Sequence, residues 1–177
     1  MMLRILMCFL FIGCGSGSIL PSGCNWVDFG KTDTDPRVFS GIDPRLEPFV
    51  VSYEAETGTH VSGIAMGIGE TKNNTAVGEC TTWGKKYKQI TISSSFYSAN
   101  KDNLLELEQV IYHELGHCDM GRDHNDNDLG FTHCAKTRCS RRKQPESIMN
   151  SKAFNSVEIE YYENNHGTYI NELIEGE

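Results

Sequence analysis

The residues best placed to do chemistry are His113-Glu114-Leu115-Gly116-His117. On a helix, two histidines four residues apart are separated by about 400° of rotation, so both imidazoles share one face about one turn apart. That spacing lets both bind a single metal ion. Glu114 is offset by about 100° from His113, which sets its carboxylate beside a metal-held water rather than on the metal. Further along come Gly121, Arg122, Asp123 and His124. A glycine lets the chain leave the helix through a left-handed turn, and His124 can then swing back as a third ligand. His133 is the main rival for that place and Asp123 a weaker one. A downstream carboxylate, Glu146, Glu158 or Glu160, is a further alternative.

The helix that must carry the pair is well marked. Leu104, Leu107, Val110, Ile111 and Leu115 recur at spacings of three and four, with Asn100 or Asp102 available to cap the start and Gly121 to end it. An earlier helix is expected over Arg45 to Thr57, with Pro48 tolerated in its first turn. Between the two lie strand candidates at Val61 to Ile68, Ala76 to Trp83 and Gln89 to Ser93, the last being the clearest for its β-branched run. A polar loop is expected from about Asp123 to Glu146. A helical segment within Val157 to Ile174 follows, with Gly167 as a possible break. Helix, strands, helix, loop and helix in that order make the class α+β.

Composition limits the function. The 177 residues carry 16 Lys and Arg against 24 Asp and Glu, for a formal charge of −8. Binding to nucleic acid needs clustered cations, so it is not expected. The first residues, MMLRILMCFLFIG, set one positive charge before an apolar run too short to span a membrane. Met1 to Gly13 is therefore expected to be a signal peptide. Phe11-Ile12-Gly13-Cys14 resembles a lipoprotein box, although the usual leucine three before the cysteine is Phe11 here. Cys14 would then carry lipid, residues 14–37 form a tether, and residues 38–177 form the folded domain. The protein is expected outside the cytoplasmic membrane, held only by that anchor and otherwise monomeric.

Five cysteines remain: Cys24, Cys80, Cys118, Cys134 and Cys139, with no CxxC pair. In an exported chain they suggest disulfides rather than a metal set. One bridge is expected among Cys118, Cys134 and Cys139. Asp123, Asn125, Asp126, Asn127 and Asp128 form an oxygen-rich loop whose ligand types would suit calcium, although a solvated turn is the simpler reading.

HExxH, then glycine, then a third histidine, then Ser147-Ile148-Met149-Asn150 resembles the signature of the metzincin zinc metalloproteases. The resemblance covers about Asn103 to Ser151. It implies a small twisted mixed sheet packed on the active-site helix, followed by a C-terminal helix. It also implies zinc on His113, His117 and His124, Glu114 as general base, and a turn at Met149 beneath the metal. The activity implied is hydrolysis of peptide bonds in protein or peptide substrates. Related proteases often carry structural calcium, and their substrate lies along an edge strand. Gln89 to Ser93 is a candidate for that strand or for an interior one. The chain departs from the family pattern by one extra residue between His117 and Gly121, which a longer or bulged helix end would accommodate. A surface lipoprotein that keeps the zinc fold as a binding module is the rival from another class.

Overall fold

A computed structural model describes residues 34–135 and 138–176, with backbone alone for residues 130–142. The expected signal, the anchor Cys14, most of the tether and Cys24 lie outside the described residues. The compact unit begins at Asp35. There Arg37 donates to the Gly63 carbonyl at 2.9 Å, and the Gln89 side chain accepts from the Val38 backbone at 2.7 Å.

The class is α+β. Helix α1 (Glu47–Thr57) precedes strands β1 (Ile64–Gly69), β2 (Gly78–Trp83) and β3 (Tyr87–Ser93). Helix α2 (Ser94–Asn100) follows directly, then α3 (Leu104–Leu115), which runs on into a π-helical turn, Gly116–Met120. Pro48 sits in the first turn of α1, where a missing N–H costs nothing. Helix α2 was not expected; Ser93 caps it by accepting from the Phe96 N–H.

The sheet order is β1-β3-β2, with β1 parallel and β2 antiparallel to β3. Gln89 to Ser93 is therefore the interior strand, and the edge reading is corrected. The short connection after Trp83 folds β2 back as a hairpin on one side of β3, while β1 pairs on the other. The edge beside the site belongs to β2.

The core forms where α3 crosses the sheet. Leu107, Val110, Ile111 and Leu115 are buried together with Ile90 and Ile92 of β3 and Leu46, Val50 and Tyr53 around α1. Each such side chain withdrawn from water contributes about 1.5–3 kcal/mol before entropy is counted. Leu104, which shares the same spacing, is instead 63% exposed, because the first turn of α3 projects past the packing layer.

The expected polar loop is mostly a β-hairpin. Strands β4 (Asp128–Ala135) and β5 (Arg138–Pro145) pair antiparallel, with Cys134 opposite Cys139. The charge of β5 hides its extended character, since its sequence lacks the apolar alternation that marks a strand. Cys118 bonds to Cys80, not to Cys134 or Cys139. That takes Cys118 out of the expected trio and ties the π-helical turn to β2, while the side chains of Cys134 and Cys139 are not among those described.

The C-terminal segment forms two helices, α4 (Ser156–Asn164) and α5 (His166–Glu175), which separate at Asn165. Gly167 lies within the first turn of α5, so the break is not at the glycine. Asn155 opens α4 with a capping box to Glu158. His166 donates toward Glu108 at 3.0 Å, across the helix interface.

That pair makes stability depend on pH. The Glu108 carboxylate raises the His166 pKa above its ordinary 6.5. The protonated ring thus stabilises the folded state below about 6.5, and the contribution is lost as pH rises through the raised value. Against His166→Gln, the wild type should gain about 1 kcal/mol or less near pH 6, because the ring is partly solvated. Urea unfolding of both proteins at pH 6 and pH 8.5 checks this: the gap should shrink at the higher pH.

Candidate metal centre

Three histidines converge at the end of α3. His113 and His117 face each other one turn apart, with Nε2 atoms 3.1 Å apart. Gly121 then takes a left-handed conformation, φ 71°, and returns the chain so that the Nε2 of His124 lies 3.1 Å from that of His117. Among the described residues, this is the one group of three or more His, Cys, Asp or Glu with ligand atoms close enough to share an ion. Asp123, Glu146, Glu158 and Glu160 are not brought to it, nor does the Asp123 to Asp128 loop gather such a group. The His133 side chain is not among those described.

The extra residue before Gly121 is absorbed by the π-helical turn. There the Arg122 N–H reaches back to the Gly116 carbonyl at 2.9 Å, six residues earlier. Widening the last turn admits one more residue without rotating His117 off the face it shares with His113.

The far sides of the His113 and His117 rings are held by backbone. His113 Nδ1 donates to the Ile148 carbonyl at 2.9 Å, and His117 Nδ1 donates to the Arg122 carbonyl at 2.6 Å. With Nδ1 carrying the proton, each Nε2 presents a lone pair. Burial lowers the His113 pKa to about 4, and lowers that of His117 as well, so both rings are neutral at pH 7. Two lone pairs facing each other at 3.1 Å without a proton between them repel, and a cation between them removes the repulsion. With metal–nitrogen bonds of about 2.0–2.1 Å, a 3.1 Å separation subtends about 100° at the ion, close to tetrahedral. The donor set fits zinc.

Glu114 points to the other side of α3, toward β2. It is 6% exposed, and burial pushes its carboxyl up to about 7, with nearby Glu79 adding to the rise. The Cys80 backbone N–H opposes this by donating to the carboxylate. Gly78 makes room for it, since a Cβ there would sit 2.7 Å from Glu114 Oε1. Both positions belong to β2, which the Cys80–Cys118 disulfide fastens to the helix end. The open cleft between β2 and residues 150–153 measures about 660 Å³ and is lined by His113, Glu114, His117 and His124.

The turn at Met149 braces the site from below. Met149 is fully buried, and a Cβ on Gly116 would collide with its Sδ. The Met149 carbonyl accepts from the Asn125 N–H at 3.0 Å, and Asp126 Oδ1 accepts from the Ser151 N–H at 2.7 Å. The loop that carries His124 is thus stitched to the same turn. Glu172 of α5 secures the assembly. One of its carboxylate oxygens accepts from Ser147 Oγ at 2.6 Å and the other from Arg122 at 3.4 Å. Ser147 and Arg122 flank or supply the carbonyls that orient His113 and His117. Sequence reasoning missed Gly78, Cys80, Arg122 and Glu172, since their partners lie in distant segments and no local pattern marks them.

No family model, curated protein or solved structure matches this chain.

Two variants probe the brace. Gly116→Ala should lose about 1–3 kcal/mol of stability through overpacking against Met149. Glu172→Ala should bind zinc about tenfold more weakly, because 10–100-fold losses are usual when partners behind the ligands are removed. Thermal melts together with zinc titration against a chelator check both. Unchanged zinc affinity in folded Glu172→Ala would show that the carboxylate does not hold the ligands.

Proposed function

We propose that this protein is a zinc-dependent endopeptidase of metzincin type, exported and lipid-anchored through Cys14. The observation that carries the reading is the convergence of three imidazoles beside a buried carboxyl in an open cleft. When bound, zinc supplies a Lewis acid that acidifies water and polarises a peptide carbonyl. His113, His117 and His124 would hold it. Glu114 takes a proton from the attacking water and returns one to the departing amine, a role that suits a carboxyl titrating near 7. The free edge of β2 offers main-chain groups to an extended substrate, and its antiparallel partner β3 keeps it rigid. The Cys80–Cys118 bridge supports an oxidising compartment.

Metal analysis with a casein digestion assay tests the proposal. The wild type should bind one zinc per chain and cleave casein. Glu114→Ala should keep zinc and lose about 10²–10⁴-fold in rate. His124→Ala should lose zinc affinity. A wild type that binds no zinc would sink the reading. Zinc bound without Glu114-dependent cleavage would instead favour a zinc-fold binding module.

A further inference from the structure

Resting on the endopeptidase reading above, we infer that the cleft selects an acidic side chain, glutamate foremost, on a residue next to the scissile bond. Gln109 and Lys152 would be the residues that select it. The cleft has a recess between the α3 turn before His113 and residues 150–153. Gln109 lies four residues before His113, so it shares that ligand's face of the helix one turn earlier.

Gln109 is 2% exposed yet lines the cleft. Its Oε1 accepts from the Phe154 N–H at 3.4 Å. That contact assigns the amide orientation and leaves the Nε2 donors without a protein partner. The Nε2 is not sealed from solvent but opens on the cleft, where a substrate oxygen can accept from it. Lys152 stands on the facing wall, exposed, with no carboxylate paired to it among the described residues. Its charge is felt by Asp126, whose Oδ1 already accepts from the Ser151 N–H. Glu158 shares a smaller neighbouring cavity with Lys152, and its carboxylate is engaged by the Asn155 N–H.

The recess thus offers two donor groups, one cationic, above a short apolar stem lined by Val110 and Ala153. Methylenes followed by a carboxylate fit that order, and a branched aliphatic side chain would leave the Gln109 amide unpaired. The opposite wall carries Glu79, which accepts from the Lys72 N–H at 2.7 Å and from Thr81 at 3.0 Å. Its carboxylate also pairs with Lys72 Nζ at 3.6 Å, so the unpaired cation facing the cleft is Lys152 and the acid lies on that wall.

The test uses zinc-loaded full-length chain and two readouts. The first is binding of short peptide hydroxamates with Glu, Gln or Leu adjacent to the metal-binding group, made in both chain directions. The second is the cleavage profile on a peptide library. In one direction the Glu compound should bind about tenfold more tightly than the Leu compound, with Gln between. Lys152→Glu should abolish the preference, and Gln109→Leu should turn it toward Leu. Because Gln109 is buried and its variant may fail to fold, the surface Lys152 variant decides the matter alone. Hydroxamate preference without any cleavage would defeat the endopeptidase reading while upholding the pocket. Cleavage with a preference for Leu, or an acidic preference unmoved by Lys152→Glu, would overturn the inference. So would the absence of hydroxamate binding by the zinc-loaded protein.

Discussion

Three imidazole nitrogens brought together, two of them with no proton to share, form an arrangement that a folded chain does not reach by default. The His113 and His117 lone pairs at 3.1 Å repel, and the burial of His113 limits the water that would separate them. The rest of the structure can be understood as what holds them there. Two rings are pinned from behind by carbonyls of Ile148 and Arg122, so neither can turn its N–H into the gap. Each of those carbonyls lies in a segment that would be free to drift without further support. The support comes from α5, the element most distant in sequence, through Glu172.

This arrangement explains why Met149 is a methionine beneath a glycine. His113 is held through Ile148, so the turn containing Ile148 must approach α3 closely. Gly116 removes the side chain that would prevent it, and the unbranched thioether fills the remaining space. A β-branched residue at either position would push the turn away and carry the Ile148 carbonyl out of reach of Nδ1. Packing and ligand orientation are therefore one constraint here, and a loss of either weakens both.

How much of this was legible in the sequence depends on how local each signal is. His113, Glu114 and His117 are fixed by helical periodicity within one segment, and α3 forms over nearly the expected residues. His124 needed one glycine to reverse the chain, and the bulged helix end expected for the extra residue is the π-helical turn. What stayed hidden is what crosses between segments. The bridge from Cys118 to Cys80 joins a helix end to a strand 38 residues earlier, and no local pattern marks that pairing for Cys118. The interior place of β3 depends on how β2 folds back, which β-branched residues alone do not reveal. Strand β5 is masked by charge, because its sequence lacks the apolar alternation by which strands are recognised. Gly167 looked like the helix break, yet glycine is tolerated in the first turn of α5, and Asn165 ends the preceding helix instead.

The same separation of local from distant sets the chemistry of Glu114. Its place on the helix follows from the motif, but its proton affinity does not. That affinity comes from β2, which buries the carboxyl, supplies an opposing N–H from Cys80 and adds the charge of Glu79. A carboxylate on an exposed helix face would stay ionised well below neutral pH and hold a proton poorly. Covered by β2, it sits where gain and loss of a proton are nearly balanced at pH 7. Strand β2 thus forms the open edge of the cleft, tunes the carboxyl through its first residues and, through the disulfide, is kept from moving away from either. If β2 separated from the helix, the cleft would widen and the carboxyl would return toward ordinary acidity together. The disulfide joins these two properties by fixing a single distance between strand and helix.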